Sequence, residues 1–127
     1  MSSGAEFGEA FRLSVVPGGI VRLTWTPGVR ITGELAAAAI AAVDRLNGEQ
    51  ERPLLVDMAG TATPTRAARE HFGRRSTASR IALVGESSVD RVHASFVAGT
   101  GGFPVPTRYF TSAVAATAWL LASAAAE

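Results

Sequence analysis

Two short runs, PLLVDM at 53–58 and IALVG at 81–85, constrain this chain more than any other feature. Each is almost continuously apolar, rich in branched side chains and bounded by turn-forming residues. A strand wetted on one face alternates apolar with polar residues, whereas a strand covered on both faces need not. The two runs therefore predict two interior strands of a sheet that is packed from both sides. Helix-start chemistry stands around them. Thr32 precedes GELAAAAIAAVDRLN, Thr63-Pro64 follows the first run, Ser87 follows the second and Ser112 opens the last apolar stretch. A hydroxyl at such a position accepts from a free backbone N–H, and Pro suits a first helical turn.

The rest of the chain fills in around this frame. FRLSVV at 11–16 and GIVRLTW at 19–25 read as strands joined by a turn at Pro17-Gly18-Gly19. The first helix carries Leu35, Ala39, Ala42, Val43 and Leu46 on one stripe and stops at Gly48. A second helix is predicted over 64–72. A third is capped by Ser87 or Ser88, Ser87 standing with Asp90 in a capping-box spacing, and has Val89, Val92 and Phe96 as its apolar stripe. GTGGFPVP at 99–106 is a loop, TRYF at 107–110 a short strand, and the last helix follows Ser112. The expected order is β-β-α-β-α-β-α-β-α: a single mixed sheet with covering helices, an α/β fold. One domain is expected over 11–124, with 1–10 as a flexible arm.

Composition narrows the chemistry. The 127 residues are 47% apolar and 18% charged, too apolar for a disordered chain. A net charge of +1 argues against a strongly basic nucleic-acid module. All 12 basic residues are Arg, so Schiff-base and phosphate-loop lysines are excluded. With no Cys and only His71 and His93, thiolate chemistry is excluded and neither a metal nor another cofactor is expected. The opening MSSGAEFGEA has no basic or apolar run of a secretion signal, and Ala113–Ala126 is shorter than the roughly 20 residues needed to span a bilayer. A cytoplasmic protein without membrane insertion is the expectation.

The segments RLTWTPGVRIT, PLLVDMAG, TRAAREHF, RIALVGES and RYFTSAVAATAWL, in this order over about residues 11–121, resemble the STAS (SpoIIAA-like) domains of bacterial anti-sigma factor antagonists. They are also similar to small actinobacterial members of that superfamily. The resemblance implies a non-catalytic regulatory or protein-interaction module, with a relation in shape to Sec14-type lipid-binding folds. Asp57 matches the strand-end Asp of those regulators. The phosphoacceptor serine that follows it in them has no counterpart in MAGTATPTRAA.

Two candidate sites follow. The loop and helix start from Asp57 to Arg69 leave the C-terminal end of an inner strand, where open α/β sheets bind ligands. There Asp57, Thr61, Thr63, Thr65, Arg66 and Arg69 offer hydroxyls, N–H donors and cations to an anion or partner. The competing reading makes Thr63 a plain helix cap and leaves both arginines solvated. The alternative function is a small-molecule binder for an amphipathic anion or lipid-like compound, with Trp25 and Phe103 lining an apolar pocket. Phe103 either closes over such a ligand or anchors its own loop. Catalysis is not expected, because Asp57 would need His71 or His93 within reach. Arg66, Arg69, Arg74, Arg75 and Arg80 face a single acid, Glu70, but lack the exposed stacking residues of a nucleic-acid surface. The last helix has almost no polar side, which predicts a homodimer through Val114, Ala118, Trp119 and Leu121.

Overall fold

The computed structural model describes residues 6–7, 10–62, 64–74, 77–92 and 104–126. Its centre is one six-stranded sheet whose spatial order follows the chain. β1 (Glu6–Phe7), β2 (Phe11–Val16) and β3 (Ile20–Trp25) pair antiparallel. β4 (Arg52–Asp57), β5 (Ala78–Val84) and β6 (Thr107–Phe110) continue the sheet in parallel from β3. The first strand lies in the segment expected to be a loose arm, where Glu6 and Phe7 face Leu13 and Arg12 across the ladder.

Alternation along the strands divides two apolar layers. Val21, Leu23, Trp25, Leu54, Val56, Ile81 and Leu83 belong to one buried cluster. Ile20, Leu55, Ala82 and Val84 belong to the other. β4 and β5 are thus covered on both faces, the reason their sequences read as unbroken apolar runs. α1 (Gly33–Asn47) and α2 (Arg66–Phe72) pack in the first cluster. α4 (Ala113–Ala126) packs in the second through Ala116 and Leu120. Between β5 and β6, residues 88–92 form the described part of α3.

Local chemistry sets the helix ends. Thr32 Oγ1 accepts from Leu35 N at 3.2 Å, and Gly48 (φ 63°) donates its N–H back to Asp44 O. The buried side of α1 is Ala36, Ala39, Ala42, Val43 and Asn47, rotated slightly from the predicted stripe, so Leu35 and Leu46 are only partly buried. Methyl-sized side chains bring the helix close to the sheet.

α2 starts later than predicted. Its cap is Thr65, whose Oγ1 accepts from Ala68 N at 3.2 Å, while Thr65 N donates to Ile31 O. Pro64 is buried in the connection ahead of the helix instead of forming its first turn. Thr63 lies outside the described residues.

α3 corrects a second expectation. Val89 and Val92 are exposed, and Asp90 is the residue turned inward, only 3% exposed. Ser87 does cap the turn, its Oγ accepting from Asp90 N. The Asp90 carboxylate accepts from Glu86 N at 2.8 Å and Gly60 N at 3.2 Å. Two backbone donors from loops at the ends of β4 and β5 outweigh the two valines in setting the helix's orientation. Phe96 lies outside the described residues.

Candidate functional site

The loop after β4 is firmly tied down. Asp57 Oδ2 accepts from Arg22 Nη2 at 3.1 Å, and Oδ1 from Ala59 N at 3.3 Å. Thr61 is buried, and its hydroxyl donates to Met58 O at 3.0 Å. Gly28 N donates to Gly60 O and Ala62 N to Val29 O, lacing this loop to the one before α1. Thr65 caps α2, and Arg69 Nη1 donates to Pro64 O at 2.9 Å. Arg66 extends into solvent, its side chain 88% exposed, with Glu70 one turn on at 3.6 Å. Asp57, Thr61, Thr65 and Arg69, predicted to face a ligand, therefore hold the loop's own shape, while Arg66 stays in solvent. Asp57 is paired with Arg22, and His93 lies outside the described residues.

The five clustered arginines also part company. Arg66 and Arg69 belong to α2 and Arg74 follows it, on the side of the first apolar cluster. Arg80 stacks over the Trp119 ring at 4.1 Å, against α4 on the opposite side of the sheet. Arg75 is outside the described residues.

An apolar cavity of about 70 Å³ lies between the sheet and α1–α2. Leu23, Trp25, Leu54 and Val56 form its floor from the sheet, and Ala39 and Val43 line it from α1. Phe72 and Arg74 bound it at the end of α2, and Pro104 and Val105 bound it from the loop before β6. Trp25 is held edge-on by Phe11 with ring centroids 5.4 Å apart. The sequence placed Trp25 at such a pocket beneath the 99–106 loop, and both Trp25 and that loop's last residues line this one. Phe103 lies outside the described residues. Among the described lining residues, Arg74 is the one charged group and Thr61 supplies the one side-chain hydroxyl. Arg74 was visible in sequence only as a member of the cation cluster; its position just past the Gly73 stop was the available signal.

A second group of residues sits at the C-terminal ends of β5 and β6. Tyr109 lies beneath the Arg91 guanidinium at 4.7 Å, and its hydroxyl donates to Ser87 O at 3.4 Å. Burial, reinforced by the Asp90 charge, pushes the Tyr109 phenol above its usual 10.0, with Arg91 opposing.

Comparison with known proteins agrees with this architecture. A structure from the DUF3478 family of Shewanella loihica PV-4, described as having a SpoIIAA-like fold, superposes with a TM-score of 0.61. It is 14% identical, and the match covers 94% of this chain and 98% of that one. A protein of unknown function from Arthrobacter sp. FB24 is 49% identical over 85% of this chain and 96% of its own, with a TM-score of 0.36. No curated protein matches. The described residues contain no helix long and apolar enough to cross a membrane. The model of the domain of unknown function DUF7793 matches residues 14–123, so this α/β chain with a SpoIIAA-like fold belongs to the DUF7793 family.

Proposed function

We propose that this protein is a non-catalytic, STAS-like binding module of the cytoplasm that takes a small, largely apolar molecule between its sheet and α1–α2. The observation that carries this reading is the cavity. Its 70 Å³ is several times the ~10–15 Å³ that one water needs. Its lining is apolar apart from Thr61 and Arg74, so water gains little there and a hydrocarbon gains more. A pocket of that character is the default binding site of a domain like this one. The loop from Asp57 to Arg69 supports a recognition surface less well, because most of its polar groups are already engaged.

A neutral probe tests the reading. The chain has two tryptophans, so the W119F variant reports from Trp25 alone. Titration of that variant with 1-butanol is expected to give a saturable change in Trp25 emission. A39L, which fills the cavity from α1, is expected to weaken the response at least tenfold. An unsaturable response, or one indifferent to A39L in a folded protein, overturns the proposal.

A second reading has its own observation. α4 has no charged residue between Ala113 and Ala126, and it leaves Val114 81% and Leu121 40% exposed beside Ala118. Two copies meeting through that edge would bury these side chains without charge repulsion within the contact. Trp119 would not share the contact, since it packs against Phe110 with centroids 5.6 Å apart. Light scattering on the purified chain and on V114E distinguishes a dimer that the charge dissociates from a monomer in both.

A further inference from the structure

Resting on the cavity reading above, we propose that the ligand is a linear amphipathic carboxylate of short chain length. Its chain would lie between the sheet and α1, and its carboxylate would rest on Arg74.

The charge distribution points to the head group. The described lining offers one cation and no acid. Arg74 follows the end of α2 and is exposed, so its guanidinium stands where the cavity meets solvent. One edge of it is directed by His71: Arg74 Nη1 lies 3.3 Å from His71 Nδ1. An imidazole accepting through Nδ1 fixes that edge and leaves other N–H donors of the fork for a second acceptor. The nearest acid along α2, Glu70, pairs instead with Arg66. A guanidinium presents parallel N–H groups that match a carboxylate, and one cation matches a singly charged head. Thr61 lines the cavity, but its hydroxyl is committed to Met58 O.

The volume points to the tail. A cavity of about 150 Å³ takes one benzene, so 70 Å³ holds roughly three carbons. With its carboxylate outside the apolar space, that corresponds to an acid of about four carbons. Each methylene moved out of water tightens binding about fourfold, so affinity climbs along the series until the cavity is full.

Calorimetric titration of the intact chain with acetate, propanoate, butanoate and hexanoate, beside 1-butanol, tests this. The expected result is about a fourfold gain per methylene up to butanoate and a plateau beyond, with butanoate at least tenfold tighter than 1-butanol. R74Q is expected to erase the butanoate advantage and leave 1-butanol unchanged, and R74K to retain part of it. Arg74 is at the surface, so a thermal melt establishes that these variants fold. Equal binding of butanoate and 1-butanol overturns the proposal and leaves the cavity reading standing, as does an R74Q variant that weakens both alike or neither. If neither compound binds, the cavity reading fails and this proposal with it.

Discussion

Asp90 offers the sharpest test of how this fold is held at the ends of its central strands. Its carboxylate is nearly inaccessible to water and accepts from Glu86 N at 2.8 Å and Gly60 N at 3.2 Å. It thereby joins the loop after β4 to the loop after β5. A hydrogen bond to a charged group contributes about 1.5–3 kcal/mol, and a buried donor left without a partner costs about 1–3 kcal/mol. D90N keeps the shape but leaves one carbonyl oxygen to serve two N–H groups, with an amide NH2 facing the other. The longer bond to Gly60 is the one that gives way, at an expected cost of about 2 kcal/mol. D90A removes both acceptors, and about 3–4 kcal/mol is expected. For a chain of this size 1 kcal/mol moves the thermal midpoint by about 3–6 °C, so D90N is expected to melt about 6–12 °C lower. Urea denaturation measures the change directly, provided the slope against denaturant is preserved. A D90N variant within 0.5 kcal/mol of the parent refutes the argument, because it would mean that neither N–H depends on the carboxylate.

Two further outcomes concern the same corner of the molecule. Tyr109 is the only tyrosine, so absorbance at alkaline pH reports its phenol alone; the midpoint is expected above 10.0, and R91A should raise it further by removing the opposing cation. Because the folded state holds that proton more tightly, Tyr109's contribution to stability is complete below pH 10 and declines as pH rises through the shifted midpoint, which melts recorded across that range check. Gly85 is buried where a methyl group would meet Asp90 Cβ at 2.6 Å and the Tyr109 ring, so G85A is expected to cost about 2–3 kcal/mol by overpacking, and an unchanged urea midpoint would contradict it.

The sheet was legible because burial on two faces leaves a signature that few other environments produce. LLV at 54–56 and IALV at 81–84 are apolar at every position, since both apolar clusters draw on them. Caps at Thr32, Ser87 and Ser112 were readable for a similar reason: a hydroxyl before an apolar stripe has one common local use. The failures lie where a tertiary partner competes with local pattern. Thr63-Pro64 is the stronger helix start in isolation, yet Thr65 donates its N–H to Ile31 O and takes over the cap. Val89 and Val92 make the better stripe, yet Asp90 turns inward to reach Gly60, 30 residues away. The polar groups of the loop after β4 show the same competition. Hydroxyls and a carboxylate in a loop look available until the chain folds; here Thr61, Thr65 and Asp57 are occupied by the backbone around them.

The cavity follows from the same use of small residues that gives α1 its close approach. Ala36, Ala39 and Ala42 let the helix backbone near the sheet, but a methyl group cannot fill the space above Leu23, Leu54 and Val56. Unfilled space has a cost: at about 24 cal/mol per Å³, a void of this volume forgoes roughly 1.7 kcal/mol. A chain that merely needed to fold gains from leucine at 39, which has nearly alanine's helix propensity and about 0.8 kcal/mol per buried methylene to contribute. The A39L variant used against 1-butanol therefore also asks what the cavity is for. Higher stability together with lost binding is the signature of a space kept open for an occupant at the expense of packing. Lower stability would mean that the site is already full enough to resist an added side chain, and the case for a ligand between the sheet and α1 would lose its physical basis.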